Sequence, residues 1–329
     1  MIKSVTRSLM CAILLLSAVG CAATGARHIR EGYVNVTGGR VWYRIVGGDN
    51  RYARTPVLVV HGGPGIPHDY LTSLDALAEE RPVIYYDQLG CGRSDRPTDD
   101  SLWTIARSVS ELQQVRDALK LKEVMIYAHS MWGSVVGTEY MLQQPDGVRG
   151  VIFAGPGFSV PRFEQDLQRL VTQLPVQMQQ AIRLHEREGT TDSPEYRQAV
   201  ELFGHRYICR LEPWPKPVMD ARNGMGKEVY RALHGPGEFA VTGRLHGYDR
   251  TAVLNRIQEP VLLTCGKYDV SSPEAALYYA SLFPHARLQV YVKSADMPHL
   301  EETEQYLADL RKFINENDPH REKEFFETQ

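Results

Sequence analysis

The 329-residue chain holds only five cysteines, no basic cluster, no internal repeat and, past its first twenty residues, no long apolar run. Each scarcity closes off a class of function. Lys plus Arg number 37 against 40 Asp plus Glu, a net charge of −3. Without a cationic face nothing would neutralise a phosphate backbone, so no nucleic acid partner is expected. Beyond Cys21 the cysteines Cys91, Cys209 and Cys265 are far apart and lack metal-ligand spacing. They read as small buried apolar residues rather than a bridge, and neither metal nor cofactor is expected. What remains, 43% hydrophobic and 23% charged, suffices for one large core with an inserted subdomain.

Residues 1–20 read as an address rather than as fold. Lys3 and Arg7 precede the apolar stretch Leu9–Leu16, and small residues lead to Ala18-Val19-Gly20-Cys21. This is the layout of a secretory signal, too short for a comfortable transmembrane helix. A cysteine directly after small residues resembles the bacterial lipobox, in which Cys21 would be lipidated and become the new N-terminus. The alternatives are an ordinary cleaved signal or an uncleaved anchor, with Cys21 incidental. Under the first reading residues 21–32 tether the domain on the periplasmic side, with membrane attachment by lipid only.

Apolar patterning then predicts a series of short strands, at 33–37, 40–46, 57–60, 83–86, 124–127 and 151–154. Helical patterns lie between them around 70–78, at 101–119 and at 135–143. Short apolar strands alternating with helices indicate an α/β fold with a mostly parallel sheet covered on both faces. The alternation breaks after Gly155. From 161 to 245 only helical patterns appear (163–174, 177–188 and 194–205), and strands resume at 261–264 and 288–292 before a last helix at 301–314. A helical insertion at the C-terminal edge of a parallel sheet reads as a cap over a site. The expected organisation is thus a core of residues 33–160 and 246–318 with a cap of 161–245. An independent second domain is the rival reading.

The most informative stretch is His61-Gly62-Gly63-Pro64-Gly65, directly after the buried run Val57–Val60. Two glycines there let backbone N–H groups approach a ligand, as in the oxyanion-binding loop of hydrolases. Further motifs follow in order: Asp87–Ser94, a strand–turn–helix at Ser130, Gly235–Phe239, Gly266–Asp269 and Met297–Glu302. With this set, residues 33–314 resemble the prolyl aminopeptidase branch of the α/β-hydrolases, which also contains amino-acid amidases. The resemblance implies an α/β-hydrolase fold with an inserted helical cap.

It also implies a serine nucleophile, a histidine base, an orienting aspartate and acidic side chains that hold a free α-amine. Val124-Met-Ile-Tyr-Ala-His-Ser130 reads as a strand ending in a serine, as a nucleophile elbow requires, and the N–H groups of Gly63 and Met131 would form the oxyanion hole. Yet the family's Ser-aromatic-Gly-Gly reads here Ser130-Met131-Trp132-Gly133, with one residue inserted. Counting from the strand puts Ser130 at the turn; counting back from Gly133 and Glu139-Tyr140 puts Met131 there, leaving no nucleophile. Asp269 matches the orienting aspartate. Where the base should stand the chain has Asp296, a weak base at its ordinary pKa near 4, and His299 follows three residues later. Either His299 turns inward as the base or the triad is broken. His129 and His61 flank the site but point elsewhere.

Glu238 matches one amine-binding acid, while Val270 replaces the other. Trp132, Trp214, Phe239 and Tyr248 are candidate pocket walls, and Arg93 a candidate brace for the site. The expected function is a serine hydrolase releasing N-terminal residues, proline-like or small or aromatic, from short peptides or amino-acid amides. Two alternatives stand beside it: an inactive hydrolase fold used for binding, and an esterase or lactonase of the same fold.

Overall fold

The computed structural model describes residues 28–48 and 54–319; residues 1–20 and Cys21 lie outside the described residues. Two antiparallel strands, β1 (Ile29–Val36) and β2 (Gly39–Val46), turn at Gly38-Gly39 and lead into the sheet. β1 starts four residues before the sequence pattern predicts, so residues 29–32 belong to the sheet rather than to a tether. The inner strands are β3 (Val57–Val60), β4 (Val83–Tyr86), β5 (Val124–His129), β6 (Val148–Ala154) and β7 (Val261–Gly266), and β8 (Ala286–Tyr291) closes the far edge. Their order is β1-β2-β4-β3-β5-β6-β7-β8, and every pairing from β4 onward is parallel.

β3, β4, β5 and β7 are buried at every position. That follows from the continuous apolar runs, since helices cover both faces of the sheet and no strand residue is left to face water. A 3-10 segment (His68–Glu79), α1 (Ile105–Ala118) and α2 (Ser130–Met141) supply part of that cover. α1 is started by Thr104, whose side chain accepts from the Arg107 N–H, as an N-cap residue should.

Between β6 and β7 the chain is helical: α3 (Val160–Val171), α4 (Val176–Glu188), α5 (Pro194–Tyr207), α6 (Lys216–Asn223) and α7 (Lys227–Leu233). The first three match the expected periodicity. α6 and α7 were not anticipated, being only eight and seven residues long and flanked by Pro213, Pro215, Pro217 and a glycine-rich turn. Val218 and Ala221 of α6 and Val229 and Leu233 of α7 pack into the apolar clusters on the two faces of the sheet, while α3, α4 and α5 pack on one another around Phe203, Phe239 and Tyr196. After β7 come α8 (Pro273–Ala280), α9 (Pro298–Glu301) and α10 (Thr303–Glu316). Cys91, Cys209 and Cys265 are buried and free, and among the described residues no helix is long and apolar enough to cross a membrane.

Candidate active site

Parallel strands end on the same side, so the turns after β3, β5, β6, β7 and β8 meet at one edge of the sheet. They carry Gly63, Ser130, Gly155, Asp269 and Asp296 in that order. Ser130, the first residue of α2, sits at φ = +61°, a left-handed conformation that Met131 does not share. Only Lys120 and Gln144 among the other described non-glycine residues have positive φ, and both follow helix ends, where such geometry is ordinary. Left-handed backbone at a strand-to-helix turn is the geometry of a nucleophile elbow, and of the two positions the counts offered it is Ser130 that carries it.

The inserted residue is absorbed by glycines. A Cβ on Gly62 would stand 2.9 Å from Ser130 Cβ, one on Gly133 would stand 3.0 Å from the Ala128 carbonyl carbon, and one on Gly157 would stand 2.9 Å from Met131 Cα. The close crossing of strand and helix thus uses the glycine three residues after Ser130 rather than two. Trp132, in the intervening position, is buried in the core and donates from Nε1 to Gln88 Oε1 at 2.7 Å. It does not line the cavity, contrary to the expectation that it forms a pocket wall.

His299 does not act as the expected base. It is wholly buried in α9, its Nε2 lies 3.1 Å from the Tyr70 carbonyl oxygen, and it packs edge-on against the His129 ring. Burial lowers its pKa to about 4. His129 is committed as well. The Tyr70 hydroxyl accepts from the Gly62 N–H at 2.9 Å and so donates to His129 Nδ1 at 3.0 Å. That leaves His129 Nε2–H to donate to the Asp296 backbone oxygen at 3.2 Å. His61 Nε2 accepts from the Gln88 N–H at 2.9 Å. His129 and His61 are held through these bonds and His299 through its Nε2, while His299 Nδ1 is buried without a partner; no imidazole bonds Ser130 Oγ among the described residues.

Two carboxyls flank Gly155 instead. A Cβ on Gly155 would lie 2.5 Å from Asp296 Oδ1, 3.5 Å from Asp269 Oδ2 and 3.6 Å from Ser130 Cα. Gly155, at φ = +64°, is therefore the gap through which the three groups converge, a role that no sequence motif signalled. Asp269 Oδ1 accepts from the Ser271 N–H at 2.8 Å, while its buried Oδ2 has no hydrogen-bond partner. The turn bearing Asp296 is strapped down: Glu301 accepts from the Ala295 N–H at 2.6 Å, and Glu302 from the Ser294 hydroxyl at 2.6 Å. The Tyr268 N–H donates to the Ser294 carbonyl at 3.0 Å, tying the two aspartate turns together. Burial, then the charge of Glu301, raises the Asp296 pKa to about 7. Burial, then Asp296 itself, pushes Asp269 well above the carboxylate range. An aspartate at its ordinary pKa is a weak base; this one is tuned to neutral pH by its surroundings.

Above these groups lies a cavity of about 400 Å³, lined by Ser130, Met131, Gly63 and Asp296 on the sheet side and by helices α3, α5, α6 and α7 on the other. Its walls are mostly apolar, with Phe163, Phe203, Trp214, Phe239 and Val270 among them. Trp214 and Phe239 therefore stand where the sequence suggested. Tyr248 does not line the cavity and packs in the core. Arg93 lies over the Trp42 ring and pairs with Glu31 at the surface, away from the site.

Glu238 opens into the cavity, and its Oε2 accepts from the Tyr230 hydroxyl at 2.6 Å. Its N–H donates to the Tyr196 hydroxyl at 2.7 Å, and Tyr196 in turn bonds Glu186, which also accepts from the Phe239 N–H at 3.1 Å. Glu186, Tyr196 and Tyr230 thus hold the Gly235–Phe239 turn in place. Sequence reasoning missed them because they stand on three separate helices, with no shared spacing to mark them. Burial raises the Glu238 pKa, offset in part by Tyr230 and Arg222. Among the described residues no cluster suited to a metal ion occurs.

A mostly parallel sheet, an elbow serine, a glycine loop beside it and a helical cover define an α/β-hydrolase. The α/β-hydrolase fold model matches residues 55–303. A proline iminopeptidase of Heyndrickxia coagulans is 46% identical over 286 residues, covering 87% of this chain and 98% of that protein. The crystal structure of the Mycobacterium smegmatis proline iminopeptidase superposes with a TM-score of 0.80 at 30% identity, over 88% of this chain and 98% of the other. That of VinJ gives 0.84 at 31% identity, over 88% and 99%. The chain belongs to the proline iminopeptidase family of α/β-hydrolases.

Proposed function

We propose that the protein is a serine hydrolase that releases an N-terminal residue, proline-like or small or aromatic, from short peptides or amino-acid amides. Ser130 Oγ attacks the scissile carbonyl, the Gly63 and Met131 N–H groups hold the oxyanion, and Glu238 holds the substrate ammonium. The observation that carries this reading is a left-handed serine at the floor of a mostly apolar cavity that has one carboxylate, Glu238, in its cap wall. A cavity of about 400 Å³ suits a ligand of one or two residues. Relatives bearing the name proline iminopeptidase support the substrate class.

The test compares proline- and alanine-p-nitroanilides with their N-acetyl forms, using wild type and Ser130→Ala. Cleavage of the free-amine substrates only, abolished by Ser130→Ala, is expected; equal rates for both proteins would overturn the reading. The lack of an imidazole at Ser130 favours a second reading, a binding protein without turnover. A fluorophosphonate probe that failed to label Ser130 would favour it. Export and lipidation at Cys21 belong to the proposal too, and Cys21→Ser should then release the protein from the membrane fraction.

A further inference from the structure

We infer that Asp296 and Asp269 act as one proton-sharing carboxyl pair that does the work of the missing imidazole, with Asp296 as the general base toward Ser130. The inference rests on the assignment of Ser130 as nucleophile. Its warrant is geometric: Asp296 Oδ1, the unpartnered Asp269 Oδ2 and the Ser130 backbone all face the space kept open by Gly155. Asp296 also lines the cavity with Ser130, whereas His299 does not.

Of the proton acceptors near Asp296, Glu301 is taken up by the Ala295 and Arg210 N–H groups, His299 does not line the cavity, and Cys209 is a buried thiol with its pKa pushed up to about 11. Asp269 faces it from the β7 turn and Glu301 from α9. His129 reaches only its backbone oxygen, and the nearby Tyr70, Tyr127 and Tyr306 are buried phenols held neutral. No cation pairs with either aspartate among the described residues. Two carboxyls buried on one gap without a cation resist ionising together, so the pair holds one proton and one negative charge, as in a carboxyl dyad.

The chemistry balances on that footing. At rest Asp269 is the neutral acid and Asp296 the carboxylate. As Ser130 Oγ bonds to the carbonyl carbon, its proton passes to Asp296 and the carbonyl electron pair becomes the oxyanion. One negative charge therefore moves rather than two opposite charges forming. Asp296 then gives the proton to the departing amine nitrogen as the C–N bond breaks, leaving an acyl ester on Ser130. Water repeats the sequence: its proton goes to Asp296, its oxygen to the carbonyl carbon, and the proton returns to Ser130 Oγ as the acid product leaves.

The test measures turnover of alanine-p-nitroanilide and fluorophosphonate labelling for wild type, Asp296→Asn, Asp296→His and His299→Gln, each checked for folding by circular dichroism. Expected are wild-type turnover that falls on the acid side with a midpoint near 7 and a loss of at least about 100-fold in kcat for Asp296→Asn. Asp296→His should restore turnover, and His299→Gln should stay within about twofold of wild type. The wild-type protein should also show a protonated-carboxyl infrared band that grows as pH falls through about 7, a change that Asp296→Asn lacks. Turnover in Asp296→His but not in wild type would overturn the inference and leave the Ser130 assignment standing. So would a folded His299→Gln without activity, or a fully active Asp296→Asn. No labelling and no turnover in wild type and Asp296→His alike would overturn the proposed function itself, and the inference with it.

Discussion

Floor and cap of the cavity each present one acidic side chain, Asp296 and Glu238, with a second behind it that does not line the cavity, and the two arrangements are built in opposite ways. In the cap, Glu238 and Glu186 receive hydrogen bonds from Tyr230, Tyr196 and the Phe239 N–H. On the floor, Asp269 receives the Ser271 N–H on one oxygen, and its other oxygen is left bare beside Asp296. A carboxylate supplied with donors can stay ionised when enclosed; one without them is driven to take up a proton. On the proposed reading Glu238, open to the cavity and bonded by Tyr230, meets a cationic ligand, and Asp296, with Asp269 behind it, exchanges a proton. Residue type alone does not distinguish them, since all four are acidic side chains. Donors do.

The comparison breaks most sharply at the floor. Ser130→Ala should lower turnover by a factor of about 10³ or more, while leaving the denaturation midpoint in urea close to wild type.

Next in size is the pH dependence of stability, where floor and buried histidines have opposite signs. Asp296 has a folded pKa near 7, above its unfolded value near 3.9. The folded state therefore binds the proton more tightly, and this group favours folding as pH falls from about 7 toward 4. Asp296→Asn should be more stable than wild type at pH 8, with the difference shrinking as pH falls toward 4. The buried rings of His61, His234 and His299 have pKa values lowered to about 4. Their contribution is present above the unfolded value near 6.5 and is lost as pH falls toward 4, by up to about 3 kcal/mol per ring. Urea unfolding at pH 8, 6 and 4.5 would read both trends, and a wild-type stability that rose steadily into acid would contradict the histidine term.

The cap should yield a smaller effect of another kind. Glu238→Gln should raise KM for free-amine substrates by about 10-fold, with kcat little changed, because a partly enclosed ion pair contributes about 1–3 kcal/mol. An N-acetyl substrate should not sense the change. Smallest is Tyr230→Phe, which removes one donor from Glu238. It should shift KM by a few-fold, about 1 kcal/mol, and raise the Glu238 pKa further.

How much of this was readable beforehand differs along the chain. The strands around Val57–Val60, Val83–Tyr86 and Val124–His129 were legible, because a sheet covered on both faces demands unbroken apolar runs. Short helices such as Lys216–Asn223 were not, since eight residues among prolines carry little periodicity. Ser130 was legible as a serine at a strand end, but its competition with Met131 depended on backbone dihedrals that sequence spacing cannot express. His299 was misread because a nearby histidine looks available in one dimension, whereas its ring is turned toward the Tyr70 carbonyl.

The order of apolar runs, glycine loops and acidic turns determined by itself that the chain folds as an α/β-hydrolase with its polar residues at one sheet edge. It did so because strand burial and strand direction are local consequences of composition and connection length. Only the tertiary structure decided which of those residues touch, and what charge each can carry. A pKa depends on the water excluded and the donors supplied by residues far away in sequence, and here Gly155 and an unpartnered oxygen of Asp269 decide it.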